Sequence, residues 1–249
     1  MAVPASPYHV LPDYADLISR LEQIRLRVVA EIERVEKELP SGFDNDVRLT
    51  TIIHIGQLID STNLALTFIS TDLLPLNNKW WEEAKTAPFS TFNKYQKSFT
   101  INNFTAGFVK VGFVQNLFST IDSSSRLLLR KLDPLAVNNA TKGIGKVFEA
   151  LCARLTIRPV DSKELMKLLQ LVRNTIHNNG VFFPQNQQND QVTYKGVTYN
   201  LEVGKPVKFV NWEFLIDRLN DGLQLLTEVI HDPNIIEITD EITDPFNIW

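Results

Sequence analysis

Asp161-Ser-Lys-Glu-Leu-Met-Lys-Leu-Leu-Gln-Leu-Val-Arg-Asn-Thr-Ile-His-Asn-Asn-Gly180 is the stretch whose periodicity decides the fold. Leu165, Leu168, Leu169, Val172 and Ile176 recur at three- and four-residue steps, which is one face of an α-helix. Asp161 followed by Glu164 has the pattern of a capping box, with Asp in place of Ser or Thr. Gly180 stands where a helix C-terminal stop is expected. The spacing therefore predicts an amphipathic helix over 161–178, polar at its C-terminal end.

The flanking sequence extends this reading. Downstream, Val192, Tyr194, Val197, Tyr199, Leu201 and Val203 alternate with polar residues around Lys195-Gly196, which predicts a β-hairpin at about 192–203. Trp212 to Ile230 returns to helical period, with Phe214, Leu215, Leu219, Leu223 and Leu226 inside. Upstream, helices are expected over 13–39, 46–71, 104–132 and 143–155, broken by Pro40, Pro75, Pro134 and Pro159. A short helix is expected over 77–86. The aromatic-rich stretch 88–103 reads either as core filling or, with Lys94 and Lys97, as a base-stacking surface. The expected fold is mainly α, a multi-helix bundle with a small β-hairpin insertion near 192–203. Three regions are expected: a helical region over 1–103, a helical domain with the hairpin over 104–231, and an acidic tail over 232–249.

The chain has 249 residues, 44% of them hydrophobic, and a formal net charge of −4. Its 15 Phe and 4 Trp exclude a disordered chain, and a single cysteine excludes a disulfide scaffold or a four-cysteine zinc site within one chain. The N-terminus has no basic region followed by an apolar run, so no secretory signal is expected. The most apolar stretch, 49–76, is interrupted by His54, Gln57, Asp60, Asn63 and Asp72, and reads as a buried helix rather than a membrane span. A cytoplasmic location without membrane association follows as the expectation, and the sequons at Asn103 and Asn139 read as chance matches. The net charge hides an uneven distribution. Residues 1–120 carry −2, residues 121–180 carry +5 and residues 181–249 carry −7. A basic segment of ten cations suits phosphate binding, or else pairs with the acids of the tail.

That segment ends in Arg173, Asn174, His177, Asn178 and Asn179. On an ideal helix Arg173 and His177 lie at about 80° and 120° from Leu165, on one flank of the apolar stripe. Residues four apart are neighbours and can reach one ligand. A histidine can move a proton and an arginine can stabilise charge on phosphate oxygens, which together serve cleavage of RNA by its own 2′-hydroxyl without a metal. The same two residues also read as caps for the last helix carbonyls.

Arg173-Asn174-Thr-Ile-His177-Asn-Asn-Gly resembles the signature of the HEPN superfamily, in which an Arg, a polar residue and a later His recur in helical nucleic-acid-associated proteins. The resemblance covers about residues 104–231. It implies a helical bundle, a homodimer whose motif helices form one cleft, and a metal-independent ribonuclease of bacterial defence, toxin–antitoxin or stress systems. Arg173 and His177 would be catalytic, and Asn174, Asn178 and Lys167 would bind substrate. RNA and an antitoxin or regulatory protein are the implied partners, with no cofactor and no metal. The resembled motif has four to six residues between Arg and His, and this chain has three. The alternative is a non-enzymatic helical interaction protein in which Arg173 and His177 cap a helix at a dimer interface. Elsewhere, Arg48 and His54 have the longer spacing but fall about 240° apart on a helix, and His54 reads as a core histidine. Cys152 reads as an inert core residue. Gly143-Ile-Gly145-Lys146 lacks P-loop spacing, and Asp122 with Arg126 reads as a helical ion pair.

Overall fold

The computed structural model describes residues 13–73, 108–136, 143–176, 178 and 180–244. The expected helix over 77–86 and the aromatic stretch over 88–103 lie outside them. Within them the chain is mainly α: α1 (Tyr14–Glu38), α2 (Val47–Phe68), α3 (Lys110–Leu132), α4 (Ile144–Cys152), α5 (Ser162–Ile176), α6 (Trp212–Ile230) and the short α7 (Pro233–Ile236). A two-stranded antiparallel hairpin, β1 (Asp190–Tyr194) and β2 (Val197–Leu201), is inserted between α5 and α6.

Local chemistry sets most of these limits. Asp13 caps α1 by accepting from the amides of Ala15 and Asp16. Leu39 and Asp133 end α1 and α3 in extended backbone because each precedes a proline, which disfavours helical dihedrals in the residue before it. Asn211 caps α6 through a 2.8 Å bond from the Phe214 amide. The hairpin turns at Lys195 and Gly196, both at positive φ (48° and 77°), the signature of a type I′ turn. Its register pairs Tyr194 with Val197 and Asp190 with Leu201.

A single hydrophobic cluster runs from α1 through α7 and includes Leu21, Ile52, Ile59, Ile121, Leu168, Leu219 and Ile235. The segment Val47–Thr71 is the one helical stretch among the described residues long and apolar enough to cross a bilayer. Here it is the central core helix. α2 packs against α1, α3 and α6, and Ile52, Ile55, Ile59 and Leu66 are wholly buried.

The start of α2 carries an unexpected device. Asp46 and Arg48 are both fully buried and form a bidentate ion pair, Nε to Oδ1 at 2.8 Å and Nη2 to Oδ2 at 2.7 Å. The remaining Arg48 nitrogen donates to the carbonyls of Ile235 and Ile238 at 3.1 and 2.9 Å. Asp46 also accepts from the Ile242 amide. The acidic tail, over residues 232–244, is thus clasped to the bundle instead of trailing from it.

Cys152 is buried at the end of α4, and that burial pushes its thiol up from the ordinary value. The thiolate is the reactive species. Alkylation of the native protein at pH 8 should therefore be much slower than after denaturation in urea. Equal rates, followed with a chromogenic thiol reagent, would show the thiol to be open.

Candidate nucleic-acid interface

α5 carries the candidate residues, and its start differs from the expected one. Asp161 sits at φ 55°, in left-handed backbone, instead of the extended conformation of an N-cap, so the capping box with Glu164 does not form. The Leu165 amide instead bonds to the Asp161 carbonyl. The apolar stripe Leu165, Leu168, Leu169 and Val172 is buried as its period requires, against α3, α4, α6 and β1.

The far end is built by backbone. The Asn178 and Gly180 amides both bond to the Thr175 carbonyl, at 3.0 and 2.9 Å, with Gly180 at φ 81° as an expected C-terminal stop. The Asn178 side chain donates to the Asn174 carbonyl at 3.4 Å. His177 and Asn179 lie outside the described residues.

Arg173 is half-buried. Its guanidinium lies 5.4 Å from the centroid of the Phe118 ring on α3, which fixes its plane by a cation–π contact. One terminal nitrogen donates to the Asn174 side chain at 3.4 Å, and Nε is buried without a partner. It donates to no helix carbonyl among the described residues. It also meets no carboxylate there. A cation held rigid on a ring without a counter-charge is prepared for an external anion.

The rest of the basic segment divides in two. Arg126 pairs with Asp122 at 2.7 Å, as expected, Arg154 with Asp133, Lys163 with Glu149 at 3.6 Å and Lys167 with Asp190 at 2.7 Å. The Asp133 carboxyl is held below its ordinary value chiefly by its bond from Arg154. Lys131 reaches the acidic tail, at Asp240. Arg130, Lys146, Arg158 and Arg173 make no ion pair among the described residues. Among the nine described cations of the segment, local acids therefore neutralise four, the tail meets one at Lys131, and four make no ion pair.

Lys146 and Arg158 belong to a groove of about 550 Å³ between α4 and α5, which Lys163, Lys167, Glu149 and Gln170 also line above a floor of Phe148 and Met166. The α5 members of that groove, 163, 166, 167 and 170, follow helical spacing, and the next positions in the series are 173 and 174. Arg173 and Asn174 thus stand about one turn, roughly 5 Å, beyond the end of the groove. Sequence reasoning identified the segment as basic but not the groove, because the groove needs the packing of α4 on α5.

The other histidines have different surroundings. His54 borders a cavity of about 280 Å³ with Thr51, Ser119, Thr120, Ser123, Ser124 and Asp244. His231 directs one ring nitrogen at Glu31 and the other at Glu38, tying the end of α6 to α1. Among the described residues no set of His, Cys, Asp and Glu side chains has the arrangement that would hold a metal ion. No family model, curated protein or solved structure matches this chain.

Proposed function

We propose that this protein is a HEPN-like RNA-binding protein that cleaves RNA without a metal ion, as a cytoplasmic homodimer in bacterial defence, toxin–antitoxin or stress response. The observation that carries this reading is Arg173, a cation stacked on Phe118 that has, among the described residues, no carboxylate beside it and no partner for its buried Nε. Such a group suits a phosphate.

In the proposed reaction the RNA 2′-oxygen attacks the adjacent phosphorus, and the bond from phosphorus to the 5′-oxygen breaks. His177 takes the 2′-hydroxyl proton or supplies one to the leaving oxygen. Arg173 holds the charge that builds on the non-bridging oxygens, and Asn174 positions its guanidinium. The products are a 2′,3′-cyclic phosphate and a 5′-hydroxyl.

The test is incubation of RNA in EDTA with wild type, Arg173→Ala and His177→Ala. Wild type should cleave, and each variant should lose about 100-fold or more, the scale of removing one charge-stabilising or proton-transfer group. Their melting temperatures should stay close to wild type, since a half-exposed cation–π contact contributes only about 0.5–1 kcal/mol. No cleavage by wild type, with RNA also unbound, would overturn the proposal. No cleavage with salt-sensitive binding intact would leave an RNA-binding protein that does not cut.

A further inference from the structure

We propose that the groove between α4 and α5 is a binding site for a nucleoside phosphate, separate from the Arg173–His177 motif. Four of its lining side chains are cations, Lys146, Arg158, Lys163 and Lys167, against one carboxylate, Glu149. Glu149 lies 3.6 Å from Lys163, and Lys167 is held by Asp190. Lys146 and Arg158 are exposed and have no acidic neighbour among the described residues, so the groove keeps two uncompensated charges. An anion entering there meets attraction without having to displace an existing ion pair.

The backbone adds to this. α4 begins in the groove at Gly143, and this cap has no side chain to bond the first amides of the helix. The Lys146 amide bonds back to the Gly143 carbonyl, whereas those of Ile144 and Gly145 have no acceptor within the helix, and the positive end of the helix dipole there favours an anion. Gly145 leaves space at the same place. A Cβ built on it would lie 3.4 Å from the Gln170 side-chain oxygen, so any residue with a side chain would narrow the approach to both.

The walls identify the rest of the ligand. Most of the surface that lines the groove is apolar, Phe148 and Met166 close its base from within the core, and Gln170 presents an amide able to donate and accept. A bare phosphate would use the cations and leave these apolar walls wet. A nucleoside would use the walls and leave the cations unpaired. A nucleoside carrying a phosphate uses both, and about 550 Å³ is within the range of small-ligand pockets. A free nucleotide and the phosphorylated end of an RNA strand offer the same chemistry.

The experiment is isothermal titration of the full chain with inorganic phosphate, adenosine, AMP, and a short 2′-O-methyl oligoribonucleotide bearing either a 5′-phosphate or a 5′-hydroxyl. AMP or the 5′-phosphorylated strand should bind at least about tenfold more tightly than phosphate, adenosine or the 5′-hydroxyl strand. The double variant Lys146→Glu/Arg158→Glu should lose at least about tenfold, both residues being exposed and unpaired. Lys205→Glu/Lys208→Glu changes net charge equally and should bind like wild type. AMP favoured over the phosphorylated strand assigns the site to free nucleotides, and the reverse order assigns it to strand ends. Either result supports the proposal. Absence of binding by both, equal binding of phosphate and AMP, or undiminished binding by Lys146→Glu/Arg158→Glu would overturn it. Cleavage does not enter this measurement, so its outcome is separate from that of the ribonuclease proposal.

Discussion

Arg48→Ala should lower the free energy of unfolding by about 3–5 kcal/mol, because it removes one member of a wholly buried pair and leaves the Asp46 charge without its counter-ion. That is a large fraction of the roughly 5–15 kcal/mol by which a domain is stable. Arg48→Lys should rescue little. A single ammonium cannot make the two parallel bonds to Asp46 and also reach the carbonyls of Ile235 and Ile238. The apolar double variant Asp46→Leu/Arg48→Met should also remain destabilised. Many buried ion pairs tolerate such replacement, but this one also satisfies backbone groups. Its removal orphans the Ile242 amide and the Ile238 carbonyl in the turn after α7. Urea denaturation of the three variants checks this. A loss under about 1 kcal/mol in Arg48→Ala would show that the clasp is replaced by water.

Asp221→Ala should cost about 3 kcal/mol and detach the hairpin first. Asp221 is 6% exposed and lies 2.8 Å from Arg218 Nη2 and 2.6 Å from Lys195 Nζ. Arg218 also donates to the Tyr199 hydroxyl at 3.0 Å and stacks on Tyr194 and Phe214. Burial, then the Asp221 charge, push the Tyr194 hydroxyl far above its ordinary value, so that ring stays neutral beneath the cluster. Removing Asp221 leaves Arg218 charged among rings with no carboxylate in contact. Lys195→Ala removes only a half-exposed partner and should cost less than about 1 kcal/mol. Hydrogen exchange should show the amides of β1 and β2 losing protection in Asp221→Ala before those of α2. Loss of protection in all elements together would mean that the hairpin and bundle unfold as one unit.

The hairpin and α6 were legible in the sequence because their signals are local. Lys195-Gly196 between alternating strands specifies a two-residue turn, and the apolar period from Trp212 to Ile230 matches the observed helix end to end. Asp161 shows where a local signal fails. The same residue types that make a capping box also suit left-handed backbone, and the chain entering α5 takes the second option. At the candidate site, the sequence placed Arg173 on a helix flank, and only packing of α3 on α5 set it over Phe118 without a carboxylate.

Within the described residues the sequence by itself determined where the main helices and the hairpin form, which faces they bury, and that the cations gather in 121–180, since periodicity and composition act within a few residues. Tertiary structure alone decided which of those cations keep their charge uncompensated and that α4 and α5 enclose a groove. It also turned Arg48, which has the motif's spacing to His54 but falls about 240° from it on an ideal helix, into the link to carbonyls 187 residues and more away. The physical reason is range. Backbone propensity is read from neighbours in sequence, whereas a charge is stabilised by whatever lies within a few ångströms in space, and only the folded chain determines that.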